Sequence, residues 1–294
     1  MGPRTERTAT SLTLLLMHSP RPPHQKRNSP PRNRPPSPAI PAARGDRWLY
    51  GRHTVVAALA NPERRWRRLA VLVGQEAEAE RLLADAIAER CGTASAALEI
   101  LDRDALAARL SPGAVHQGIA LEVEPLREPD LDDLLRELET AAEQAVIIAL
   151  DQVSDPQNVG AVLRSAAAFG ARAVLIAAHG APPITGTLAK AASGAVDRVA
   201  LIRTVNLSRA LGRLKQNRFW VCGLEECAAR SLSEIDLGGR VVFVLGSEGS
   251  GMRRLVREAC DHLARLPTLP AQPSLNVSNA AAVALYELVC RTGT

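Results

Sequence analysis

The sequence predicts an α/β protein in two folded parts, a small mixed unit followed by a larger parallel sheet covered by helices. Three observations predict it. From Ala145 onward, five short β-rich runs (VIIAL, AVLIAA, RVALI, FWVCGL and VVFVLG) alternate with helical stretches, as parallel strands joined by crossovers do. Those runs are almost wholly apolar, the pattern of strands buried on both faces. Ahead of them, residues 48–125 carry a shorter set of strand and helix patterns, set off by an acidic, Leu-rich stretch. A chain of 294 residues allows roughly two domains, and a hydrophobic share of 46% is ample for their cores.

Residues 1–47 are expected to be a disordered arm. They hold ten of the 20 prolines and almost no aromatic residue, too little apolar surface to offset chain entropy. Nine basic residues against two acidic ones give this segment a net +7, so the rest of the chain, out of a total of +5, carries −2. The pI near 9.2 belongs to the arm, and charge alone does not make the folded part a nucleic-acid binder. A basic arm touching RNA and a dispensable extension both remain open. The apolar run Leu12–Met17 is too short for a membrane span and lacks a clear cleavage site, so no membrane is expected.

In the small unit, the patterns predict a helix over Arg52–Ala60, a strand near Leu69–Val73, a helix over Ala77–Arg90 and a strand near Leu98–Leu101. A short helix over Asp104–Leu110 and a strand Ile119–Val123 follow, separated by the loop SPGAVHQG, Ser111–Gly118. The stretch Glu128–Glu143 reads as a connecting amphipathic helix with a solvated charged face. The division expected is an arm over 1–47, an RNA-binding domain over 48–125, a linker over 126–144 and a catalytic domain over 145–294. Five cysteines without a CxxC pair suit a reducing cytoplasm. Cys260 and His262 have no second pair at metal spacing, so no metal is expected.

Ligands of open parallel sheets sit beyond the carboxyl ends of the strands, which directs attention to three loops. After Leu150 comes DQVSDPQNVGAVLRSAAAFGA, where Asp155 and Pro156 look like a helix start and Asn158 falls in the first turn. Arg164, on the same Ala- and Val-rich helix, is either buried against a charge or offered to an anion, and its planar fork of donors suits phosphate. After Leu245 comes GSEGSGM, with Gly246, Glu248, Gly249 and Gly251. Its glycines let the backbone approach a ligand, but the spacing is neither GxGxxG nor GxxxxGK[ST], and Glu248 argues against a phosphate cradle. A carboxylate there is better placed to hold a cation, a hydroxyl or another loop. The third loop is LPTLPAQPSLNVSNAAAVALYE, Leu266–Glu287. Ser274, Asn276, Ser278 and Asn279 crowd a helix start that needs one or two caps, leaving polar groups over for a ligand. Leu266, Pro267, Leu269 and Leu275 offer an apolar lining of the kind an adenine pocket needs.

Taken together, NxGxxxRxxxxFG (Asn158–Gly170), LGSEGxGM (Leu245–Met252) and LPxxxxxxSLNVSxAxAxxLYE (Leu266–Glu287) resemble, in order and separation, the SpoU family of RNA ribose 2′-O-methyltransferases. The resemblance spans about Val146 to Arg291. It implies a SPOUT α/β knot, a trefoil, whose second and third motif loops wrap S-adenosylmethionine. Periodicity does not reveal such a threaded path, and the general expectation runs against it. The resemblance assigns cofactor contacts to Gly246, Leu266 and Leu275, and functional roles to Asn158, Arg164, Glu248, Ser274 and Asn276. Arg164 would engage the target phosphate or hydroxyl, Asn158 and Glu248 would arrange the loops, and Ser274 with Asn276 would orient the ribose. The family also implies a homodimer.

LYGRHTVVAAL (Leu49–Leu59) and GAVHQGIAL (Gly113–Leu121) resemble the small L30e-like RNA-binding domain that precedes the knot in the branch acting on a guanosine of large-subunit ribosomal RNA. Two features depart from the family: Ala271-Gln272-Pro273 stand where many members have serine-rich residues, and the Pro-rich arm is additional. A transfer-RNA ribose methyltransferase and a non-catalytic RNA-binding or ribosome-assembly factor are the alternatives. A dinucleotide-dependent oxidoreductase lacks its fingerprint.

Overall fold

In the computed structural model, the described residues are Gly2, 47–89, 96–140, 144–269, 271 and 274–292. The expectation of a disordered arm over residues 1–47 therefore falls outside them, Gly2 and Arg47 apart. Cys91, Gln272 and Pro273 fall outside as well.

The first sheet is built from β1 (Trp48–Tyr50), β2 (Trp66–Leu72), β3 (Ala97–Leu101) and β4 (Ile119–Val123), in the order β1-β4-β2-β3. Helices α1 (Arg52–Ala60), α2 (Glu76–Glu89) and α3 (Arg103–Ala107) accompany it. Strand β1 is not foreseen by the sequence, because three residues are too few to show alternation. Antiparallel pairing with β4, Trp48 opposite Glu122 and Tyr50 opposite Ala120, holds it. Helix α3 starts one residue ahead of expectation, since the Asp102 carboxylate caps it by accepting the Ala105 N–H at 2.8 Å.

The second sheet is wholly parallel and seven-stranded. It comprises β5 (Ala145–Leu150), β6 (Ala173–Ala177), β7 (Ala200–Thr204), β8 (Phe219–Leu224), β9 (Arg230–Ser231), β10 (Arg240–Leu245) and β11 (His262–Arg265), in the order β7-β6-β5-β10-β8-β11-β9. Helix α4 (Leu131–Thr140) precedes these strands, α5 (Pro156–Ala168), α6 (Gly186–Ala191), α7 (Leu207–Gln216) and α8 (Arg254–Glu258) run between them, and α9 (Val277–Thr292) follows the last. The five strands foreseen from β-rich runs are present. RVALI begins its strand only at Ala200, because Arg198 and Val199 follow directly on a 3₁₀ turn at Ala195–Asp197. Strands β9 and β11 are additional, short and without a β-rich run.

Burial on both faces explains the apolar runs. In β5, Val146, Ile148 and Leu150 pack with α5 and α9, while Ala145, Ile147 and Ala149 pack with α4 and α7. Helix α4 lies inside the stretch read as a linker, yet Leu131, Leu134, Leu135 and Leu138 bury it on the sheet. Its charges face outward, where Asp132 pairs with Arg213 of α7.

The chain leaves β5 toward β6 on one side and returns to its other side at β10, so the order reverses between these central neighbours. Leu150, Leu245 and Leu224 stand level across β5, β10 and β8. The loops after β5 and β10 therefore emerge side by side at the switch point, where open parallel sheets bind ligands.

One hydrophobic cluster runs through both sheets, joining Leu49, Val55, Ala58 and Leu121 of the first to Leu188, Ala192 and Ala195 of the second. Gly194, at φ +88°, lies so close to α1 that a Cβ there would collide with Ala57. Thr54 donates to the Ala189 carbonyl at 3.3 Å, and Arg64 forms a buried ion pair with Asp197 at 2.8 Å. Asn61 donates to the same Asp197 oxygen at 3.0 Å. Removing one partner of a buried pair strands the other charge, so Arg64→Ala is expected to lower stability by about 3–5 kcal/mol. Denaturant titration checks this: a drop in midpoint at unchanged m-value is the expected result, and a loss under about 1 kcal/mol would show that water or other groups compensate Asp197.

Candidate active site

Helix α5 opens the first loop as its sequence dictates. Asp155 is the N-cap, accepting the Gln157 and Asn158 N–H groups at 3.1 and 3.3 Å, and Pro156 occupies the first helical position. Asn158 is thereby fixed in the first turn, half-buried. Arg164 lies roughly 1.7 turns further along. It is exposed and makes no hydrogen bond or ion pair with the described residues, so it is not buried against a partner charge.

The second loop folds back on itself. Gly251 N–H donates to Ser247 O at 2.9 Å, the Ser247 and Ser250 hydroxyls meet at 2.5 Å, and a Cβ on Gly246 would collide with the Gly251 backbone. Gly249 and Gly251 take φ of +85° and +65°, which L side chains adopt at a cost. Glu248 is held outward at the tip.

In the third loop, Asn276 does the capping. Its Oδ1 accepts the Ser278 N–H at 2.8 Å and the Ser278 hydroxyl at 2.6 Å, so α9 starts at Val277, three residues ahead of the alanine run that begins at Ala280. The same side chain's Nδ2 donates to Asn158 Oδ1 at 3.0 Å and to Glu248 Oε1 at 2.7 Å. A primary amide has two donors and two acceptor sites, and all four are used. Asn276 thus ties all three motifs together, and Glu248 holds another loop. Ser274 is exposed two residues earlier. Leu275 is 36% exposed beside Asn276, whereas Leu266, directly after β11, is half-buried against the core.

Asp151 is a residue that pattern analysis did not single out. It is fully buried just after β5, and its carboxylate accepts the Arg253 backbone N–H at 2.8 Å and the Arg253 Nε and Nη2 at 2.8 and 2.6 Å. A polar residue ending an apolar strand is the available signal, but its partner is 102 residues away. The thiols of Cys222 and Cys260 are both pushed up to about 12, chiefly by burial. Burial that disfavours the thiolate makes them poor nucleophiles. A cleft of about 700 Å³ opens elsewhere, among Asn61, Arg127, Arg136, Asp197 and Leu201. Mixed charge lines it and none of the three motifs reaches it, so volume is a poorer guide here than the convergence of loops.

The three loops fit a phosphate-free nucleoside cofactor better than a nucleotide. Glycine-rich backbone and exposed leucine surface lie beside a carboxylate, Glu248, that would repel phosphate.

A family model for the SpoU rRNA methylase family matches residues 145–286, and one for RNA 2′-O ribose methyltransferase substrate binding matches residues 48–129. The 23S rRNA (guanosine-2′-O-)-methyltransferase RlmB of Xylella fastidiosa (strain Temecula1) is 40% identical over 247 residues, covering 83% of this chain and 96% of that protein. RlmB of Escherichia coli (strain K12) is 37% identical over 244 residues, covering 82% and 97%. The SpoU methyltransferase AviRb of Streptomyces viridochromogenes, solved with the cofactor AdoMet, superposes with a TM-score of 0.69 at 20% identity, over 85% of this chain and 91% of that one. Likeness at that identity carries the fold, while the near full-length relatives carry descent: this chain belongs to the SpoU rRNA methylase family.

Proposed function

We propose that the chain is an S-adenosylmethionine-dependent methyltransferase acting on the ribose 2′-hydroxyl of a guanosine in 23S ribosomal RNA. The observation that carries this reading is Asn276, at the start of the third-motif helix, joining Asn158 and Glu248, with Arg164 left exposed and without a hydrogen bond or ion pair among the described residues. The full-length relatives named for that reaction and the matched substrate-binding region support the ribosomal target.

Gly246, Leu266 and Leu275 would hold S-adenosylmethionine, which supplies an electrophilic methyl group when bound. The chain's own part is alignment and proton management, with O2′ gaining the methyl and losing its proton. Arginine keeps its proton far above neutral pH, so Arg164 is not the base. It grips the phosphate next to the target ribose by charge-assisted hydrogen bonds, and that phosphate helps pass the 2′-proton on to solvent water. Ser274 faces the ribose. Asn276, its hydrogen-bonding capacity already used, acts by holding the loops that Asn158 and Glu248 belong to.

The same reading includes a domain division at 48–125, 126–144 and 145–294, a knotted path through the second and third loops, a homodimer, and a cytoplasmic location. Among the described residues no helix is long and apolar enough to cross a membrane.

The test is incubation with methyl-labelled S-adenosylmethionine and total RNA from a strain lacking the gene, followed by digestion and mass spectrometry. One labelled guanosine in 23S RNA is the expected result. Label in transfer RNA would overturn the target, and absence of both label and cofactor binding would overturn the reaction.

A further inference from the structure

The second-motif loop is anchored at three places, and two of them are already accounted for. Its start is the end of β10, in register with β5, and its tip is tied through Glu248 to Asn276. The far end, at Arg253, is held by Asp151. Arg253 is extended backbone at φ −61°, ψ 147°, immediately before α8, so the hydrogen bond from its own N–H fixes where the loop ends. The side chain then wraps the same carboxylate with Nε and Nη2, both on Oδ1. Asp151 is itself fully buried, with its N–H donating at 2.8 Å to the carbonyl of Leu245, the last residue before the loop. Both ends of residues 246–252 are therefore referred to one buried residue, the start through the Asp151 N–H and the end through its carboxylate. The neighbouring Gln152, at φ +61°, adds a long contact from Nε2 to Gly251 O at 3.5 Å. A short α8 could not supply this anchor by packing, since Val256 is its only buried residue.

We infer that Asp151 and Arg253 are positioning residues of the methyltransferase site, a clamp that holds the second-motif loop in its cofactor-binding shape. This rests on the proposed function. Neither residue needs to touch the reacting atoms; they act through the backbone of Gly246–Met252. Weakening the clamp raises the dissociation constant for S-adenosylmethionine and leaves turnover at saturating cofactor close to normal, because uniform binding is lost and transition-state contacts are kept.

The experiment combines calorimetric titration of the full-length protein with S-adenosylmethionine, hydrogen exchange of the 246–252 amides without ligand, and steady-state kinetics. The variants are Arg253→Ala, Arg253→Lys and Asp151→Asn. Arg253→Lys keeps a cation and the backbone N–H beside the buried Asp151 carboxylate, so it remains foldable even where Arg253→Ala or Asp151→Asn is not. Expected are faster exchange over 246–252 and cofactor binding weaker by roughly tenfold or more for Arg253→Ala, the scale on which losing a charge-assisted hydrogen bond acts. Arg253→Lys, which keeps the backbone bond and the charge, recovers part of the loss. Unchanged exchange, or looser exchange with wild-type affinity, overturns the clamp. Failure of the wild-type protein to bind S-adenosylmethionine overturns the proposed function instead, while the exchange data still decide whether the clamp positions the loop.

Discussion

Arg164→Ala is expected to lower the rate of methyl transfer by about 10²–10³-fold, the scale on which removing one well-placed donor acts. Thermal stability should be unaltered, because the side chain makes no hydrogen bond or ion pair with the described residues. Cofactor affinity should also hold, because the proposed cofactor contacts Gly246, Leu266 and Leu275 lie on other loops. Single-turnover kinetics at saturating S-adenosylmethionine, beside a melting curve, separates these quantities. Arg164→Lys refines the result: an ammonium keeps the charge and loses the planar fork, so most of the rate should stay lost. Near-normal turnover in the lysine variant would mean that charge alone suffices and that the bidentate grip on phosphate is wrong.

Asn276→Asp is expected to separate the two duties of one side chain. A carboxylate still accepts from Ser278, so the cap survives, whereas the truncation Asn276→Ala should cost about 1 kcal/mol of stability. The aspartate has no donor for Asn158 and sets a like charge against Glu248, where the amide now donates at 2.7 Å. The loops should part, and kcat/KM should fall by about 100-fold with the melting temperature nearly unchanged. Wild-type kinetics in Asn276→Asp would show that the bridge is dispensable.

Much of this arrangement is legible in the sequence, for identifiable reasons. Parallel strands buried on both faces produce the apolar runs that mark β5, β6, β8 and β10, and Asp155 with Pro156 announces α5. Four polar residues at the start of α9 announce that something more than capping happens there. Local pattern could not say that Asn276 would be both the cap and the bridge, since Asn158 lies 118 residues away. Nor could it give the strand order that sets β10 beside β5. Strands β1, β9 and β11 escape because two to four residues carry no period, and their edges are stabilised by pairing partners remote in the chain. The leucines of α4 were visible, but the face of the sheet they cover was not.

The apolar cluster shared by the two sheets has a practical consequence for building chimaeras. Exchanging residues 48–125 with those of a relative that modifies a different RNA would leave Asp197 facing a stranger in place of Arg64, and Gly194 facing whatever replaces Ala57. The transplantable module is therefore the small sheet together with the surface of α6 and the turn at Ala195–Asp197 that receives it. Specificity in such enzymes would be inherited as matched pairs of surfaces, with the connecting helix α4 staying with the large sheet on which its leucines are buried.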